Sequence, residues 1–130
     1  MLLHLTEIVV ALTILLLLVT TYMVGRARGT YGIKAPATTG NIDFERIFRV
    51  QMNTLEAVVL FLPTLWLATL HADPRVTGVL GLIWVGARFW FAFAYASAAN
   101  KRGMAFTTST VAVLALLGVG LWGLLRVIFL

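Results

Sequence analysis

Four long apolar runs, separated by three polar breaks, organise the whole chain. The runs cover about residues 3–24, 44–70, 75–96 and 104–129, and each reaches the roughly 20 residues that a helix needs to cross a bilayer core. No run shows the ten-residue alternation of a barrel strand, and a lipid-facing backbone must satisfy its own hydrogen bonds. The pattern predicts an all-α membrane protein, a four-transmembrane-helix bundle that forms a single domain over residues 1–130. The first apolar run has no basic stretch before it and no small-residue cleavage site after it, so it reads as a retained helix.

The breaks differ in character. Residues 25–42 are rich in Gly, Pro and Thr and read as a long polar loop, of a length more often functional than idle. His71-Ala72-Asp73-Pro74 reads as a tight turn, with Asp73 placed to cap the third helix and Pro74 at its first position. Ser97 to Gly103 is short and basic. Pro63 removes one backbone hydrogen bond within the second helix and predicts a bend near residues 59–63. Glycines at 78, 81 and 86, and at 118, 120 and 123, would let helices approach closely.

Composition agrees with the hydropathy pattern. Hydrophobic residues make up 61% of the chain and charged residues 12%, against roughly 25% charged in soluble proteins. A mean hydropathy of +0.97 is more than a soluble core of this size could absorb. The net charge of +5 then reads as topology and not as affinity for nucleic acid, which is not an expected partner. Arg26, Arg28, Lys34, Arg46 and Arg49 cluster around the first break, and Lys101 and Arg102 occupy the third. Excess Lys and Arg marks the cytoplasmic side, which puts the first and third loops in the cytoplasm and both termini outside. The short loops suit a bacterial inner membrane. The absence of cysteine rules out disulfides, thiolate metal sites and cysteine nucleophiles. His4, Glu7 and His71 lack metal-ligand spacing, and no metal is expected.

Charge inside the spans is where function is sought. Glu45-Arg-Ile-Phe-Arg-Val-Gln-Met-Asn-Thr-Leu-Glu56 runs without a break into an apolar segment, and ionisable residues there are costly unless they face a partner, a cavity or a substrate. Arg46, Arg49, Asn53 and Glu56 fall on roughly one stripe of a helix, with Gln51 about 100° from Arg49. This stripe reads either as a polar pocket with an arginine clamp or as interhelical pairing, and spacing alone leaves both open. Helix three carries a second stripe of Arg88, Phe91 or Ala92, and Tyr95, extended by Arg102. With Arg28 in the first loop, the two stripes make an arginine-rich site at the cytoplasmic boundary. Guanidinium groups bind carboxylates bidentately, so the fitting ligand is small and polyanionic, with an apolar partner arriving from the lipid. An arginine beside a bound thiol would favour its thiolate.

The block Glu45–Glu56 continuing to Phe61-Leu-Pro-Thr-Leu-Trp66, with Pro36-Ala-Thr-Thr-Gly40 before it and Ala87-Arg88 through Tyr95 after it, resembles the MAPEG superfamily (membrane-associated proteins in eicosanoid and glutathione metabolism). The matching motifs span about residues 25–102. The resemblance implies a homotrimer of four-helix subunits that binds glutathione as co-substrate between neighbouring subunits. By position, Arg28, Arg49, Gln51, Asn53, Glu56, Arg88, Tyr95 and Arg102 match glutathione-contacting positions of leukotriene C synthases. Arg102 matches the arginine that stabilises the thiolate, Arg49 a carboxylate clamp, and Asn53 and Glu56 hold polar groups of the tripeptide. The chain departs from those synthases at Phe91 and Ala57, which replace tyrosines, and at Gly29, which replaces an arginine.

The function expected from residues and resemblance together is a membrane-embedded glutathione transferase. It would conjugate glutathione to a lipophilic electrophile or, as a peroxidase, reduce a lipid hydroperoxide. Two other readings stand beside it. One is a non-catalytic lipid-binding member of the same superfamily. The other is a small proton-coupled multidrug exporter that uses Glu7 or Glu56 as its membrane carboxylate.

Overall fold

The computed structural model describes residues 2–130 and consists of four helices: α1 (Leu5–Tyr31), α2 (Ile42–His71), α3 (Pro74–Ser97) and α4 (Gly103–Phe129). Single 3₁₀ turns precede α1 and α4, at Leu2–His4 and Ala99–Lys101. All four helices are long and apolar enough to cross a membrane. The central pair, α2 and α3, touches both α1 and α4, which lie on opposite flanks of it.

The first helix outruns its apolar stretch. Residues 25–31, expected in a loop, continue α1 to Tyr31, and the connection shrinks to residues 32–41. Gly25 and Gly29 each cost about 1 kcal/mol relative to Ala, but nothing in this segment forbids helical backbone. At about 1.5 Å per residue the helix is about 40 Å long, against a hydrocarbon core of about 30 Å. Hydropathy therefore ends where the lipid core ends, while the helix persists into the headgroup zone. Gly32, with φ of 68°, supplies the left-handed residue that stops it, and the N–H of Ile33 bonds back to the Arg28 carbonyl at 3.1 Å.

Helix two begins at a side-chain cap: Asn41 Oδ1 accepts from the N–H groups of Asp43 (2.9 Å) and Phe44 (3.0 Å). Asp43 and Glu45 in its first turn add favourable charge. It continues through Pro63, with Thr64 Oγ1 bonded to the Leu60 carbonyl at 2.8 Å. Asp73 caps α3 by accepting from the Arg75 N–H at 2.7 Å, with Pro74 in the first turn.

The buried centre gathers Val9 and Leu16 from α1, Phe61 and Leu65 from α2, Trp84 from α3 and Leu116 from α4. Phe61 and Trp84 stack face to face, with centroids 3.7 Å apart and planes within 3°. Two glycines set the helix separations. A Cβ on Gly78 would run into Leu5 of α1, and one on Gly123 would enter the His71 carbonyl at the end of α2. Large apolar side chains such as Trp66, Leu114, Val111 and Trp122 point outward, which costs nothing where the solvent is lipid.

Candidate functional site

Arg88 is the most deeply buried charge among the described residues, at 1% exposure in the middle of α3. Its Nη2 donates to Asn53 Oδ1 at 2.8 Å and to Thr54 Oγ1 at 3.3 Å, both on α2. The guanidinium also lies over the Phe91 ring, 4.1 Å from its centroid. This arrangement partners the charge in low dielectric, although Nε remains without a hydrogen bond.

One turn to either side of Asn53 on α2, Arg49 and Glu56 make a two-point ion pair, Nη1 to Oε1 at 3.2 Å and Nη2 to Oε2 at 3.4 Å. Both side chains are more than half exposed, at 51% and 60%, so they lie open on the flank of the bundle. Tyr95 and Arg102 pair differently: the Arg102 guanidinium sits 5.3 Å above the Tyr95 ring, and Tyr95 leans on Phe91 at 5.5 Å. Arg102 makes no ion pair among the described residues.

Between α2, α3 and α4 opens a cavity of about 350 Å³. Asn53, Glu56 and Arg88 form its polar end, with Phe106 beside Phe91 there, and Leu60, Trp84 and Val113 form its apolar end. Ser109 and Thr110 bring hydroxyls from α4, each donating to the Phe106 carbonyl at 2.9 Å. A ligand there would meet the Asn53 amide and the Glu56 carboxylate at one end and hydrocarbon at the other.

Not every expected residue joins this cavity. Arg28 belongs to α1, not to a loop, and its Nη1 donates to the carbonyls of Ala37 (2.7 Å) and Ile33 (3.4 Å). It lies over the Phe44 ring at 5.0 Å and so holds the first connection against the bundle. Gln51 turns toward α1 and donates to Thr21 Oγ1 at 3.1 Å. Within one chain these two residues face away from the Arg88 network. Arg46, on the same expected stripe, instead closes the end of α3: Nε donates to the Ala96 carbonyl at 3.1 Å while Nη2 pairs with Asp43 at 3.1 Å. The fully buried Thr54, and the α4 wall with Phe106, Ser109 and Val113, were missed from sequence. The run Thr107-Thr108-Ser109-Thr110 was the one polar signal in α4 that pointed there.

Residues 6–122 match the MAPEG family. The chain belongs to that family. Among its relatives is an uncharacterized protein of Synechocystis sp., 45% identical over 109 residues, covering 84% of this chain and 80% of the relative. Microsomal glutathione S-transferase 2 of Mus musculus is 42% identical over 103 residues, covering 75% and 70%. Leukotriene C4 synthase of Cavia porcellus is 35% identical over 100 residues, covering 77% and 67%. With four membrane-length helices, this MAPEG chain is a multi-pass integral membrane protein. The buried Arg88–Asn53 link and the open Arg49–Glu56 pair are the polar core of its span.

Proposed function

We propose that the protein is a glutathione transferase working within the membrane, with glutathione bound at the Asn53 and Glu56 end of the cavity, where Arg49 pairs with Glu56, and a lipophilic electrophile in its apolar end. The observation that carries this reading is the cavity itself, which joins a charged, hydrogen-bonding end to a hydrocarbon end inside one span. The resemblance to a glutathione S-transferase and to a leukotriene C4 synthase supports it.

The chemistry asked of the chain is modest. Arg49 and the Glu56 carboxylate offer opposite charges to a ligand that carries both carboxylates and an ammonium. Arg102, without an ion pair among the described residues and held over Tyr95, is the cation assigned to the thiolate. The sulfur then attacks the electrophilic carbon; a C–S bond forms, and the leaving group departs with its electron pair. With a lipid hydroperoxide the thiolate would instead attack the terminal oxygen, forming an S–O bond as the O–O bond breaks and the lipid leaves as an alkoxide that takes up a proton. A second glutathione thiol would then displace water from the sulfenic acid to give the disulfide.

The site is proposed to lie between copies in a homotrimer. An ion pair more than half exposed on a membrane helix is costly against lipid, and a second copy laid over it removes that cost. Arg28 and Gln51, which face away from the cavity of their own chain, are then available to a neighbour's cavity. In this arrangement the first and third connections face the cytoplasm, where glutathione is supplied, and both termini lie outside. The cyanobacterial relative suits a bacterial membrane. An exporter needs a free carboxylate, but Glu56 is held by Arg49 and Glu7 by His4, the latter at 2.7 Å.

The deciding measurement is an ultraviolet absorbance titration of the purified protein with glutathione, paired with calorimetry. A thiolate band and saturable heat are expected. Silence in both, with no conjugation of a test electrophile, would sink the proposal.

A further inference from the structure

The contact between Arg88 and Asn53 constrains more than the burial of a charge. A guanidinium carries N–H donors and no acceptor. The atom of Asn53 that lies 2.8 Å from Arg88 Nη2 must therefore be the carbonyl oxygen. The opposite orientation would set an amide NH₂ against a guanidinium and leave both donors unpaired in a buried place. Arg88 cannot swing away, because Thr54 Oγ1 takes the same Nη2 at 3.3 Å and Phe91 packs against the plane. At 1% exposure it has almost no surface left for a ligand. Asn53, by contrast, is half-buried and lines the cavity. With Oδ1 committed to Arg88, the group it shows to the cavity is the Nδ2 amide.

We infer that Arg88 is a positioning residue, which acts through Asn53 by fixing its side chain as a hydrogen-bond donor toward the cavity. The ligand atom at position 53 must then be an acceptor, a carbonyl or carboxylate oxygen, and the ligand's ammonium is directed to Glu56. This rests on the proposal that glutathione occupies the polar end. It assigns Arg88 a different task from the direct ligand contact that the family resemblance implies.

Asn53→Asp tests the assignment. The substituted carboxylate keeps its oxygen on Arg88, so the thermal midpoint in detergent should hold or rise. The cavity-facing atom changes from donor to anionic acceptor, so affinity for glutathione by calorimetry should fall by about tenfold or more. Turnover at saturating glutathione should change far less than KM. Arg88→Lys retains a donor to Oδ1 and should keep most of the affinity, whereas Arg88→Gln can both donate and accept, no longer imposes the orientation, and should lose it. If the two Arg88 variants fail to fold, Asn53→Asp alone still decides. Wild-type affinity in Asn53→Asp overturns the inference and leaves the transferase reading standing. A lowered midpoint in that variant overturns the pairing on which the inference depends. If the unmodified protein binds no glutathione, the transferase reading fails and the inference with it.

Discussion

Arg49 and Glu56, seven residues apart on α2, grip one another at two points, 3.2 and 3.4 Å, on an open flank of the bundle. Two helical turns separate them, so both long side chains must extend along the helix to meet. In the absence of ligand the pair neutralises charge that lipid or a neighbouring copy would otherwise meet bare. A ligand with a carboxylate and an ammonium can replace each partner without leaving either charge alone. Under the proposed function, the pair serves as an exchangeable site for a zwitterionic group.

Arg49→Ala should weaken glutathione binding by about tenfold or more, since a charge-assisted hydrogen bond contributes about 1.5–3 kcal/mol. Arg102→Ala should leave binding within a few-fold of wild type while abolishing the thiolate band. Calorimetry and ultraviolet absorbance on the same two variants separate these roles, and equal losses in both assays would refute the division.

If the site is shared between copies, Arg28→Ala and Arg49→Ala should complement each other. Each variant alone should bind poorly. Co-expressed and co-purified, they should recover part of the wild-type binding capacity, because some interfaces then combine an intact Arg28 with a neighbour's intact Arg49. No recovery would place both residues in one chain's site or discard Arg28 from it.

Gly78→Val should destabilise the bundle, because even the first added carbon meets Leu5. Overpacking of this kind costs about 1–3 kcal/mol, readable as a lower thermal midpoint in detergent. Gly86→Ala, where a Cβ meets nothing within 4 Å, should be neutral or slightly stabilising and serves as the control.

Phe61→Ala removes one face of the Phe61–Trp84 stack at the buried centre. Losing a buried aromatic costs about 3–5 kcal/mol in soluble cores, and part of that arises from packing, which lipid does not replace. A large loss of stability is expected, together with a shift in tryptophan emission as Trp84 loses its stacking partner.

Much of this protein is legible in its amino-acid sequence. Hydropathy marks all four helices, because a membrane span needs only enough consecutive apolar residues, which is a local property. Asp73-Pro74 announces the start of α3 for the same reason: capping depends on neighbours within one turn. The spacing of Arg49, Asn53 and Glu56 also put them near one face, and the structure finds them at or beside the cavity.

The tertiary structure decided what those residues touch. A helical wheel cannot tell which face of α2 meets α3 and which meets α1. That rotation follows from packing, from Phe61 of α2 stacked on Trp84 of α3 and from the end of α2 at His71 lying against Gly123 of α4. It turns Asn53 to Arg88, Gln51 to Thr21 and Arg46 to the end of α3. The length of α1 escaped the sequence because helix and lipid core end at different places, and with it went the position of Arg28. Arg88 shows the same divide. Its presence in a membrane span marked it from sequence alone, since charge is expensive there. Only the burial of its guanidinium against Asn53, Thr54 and Phe91 separates a residue that would touch a ligand from one that aims its neighbour.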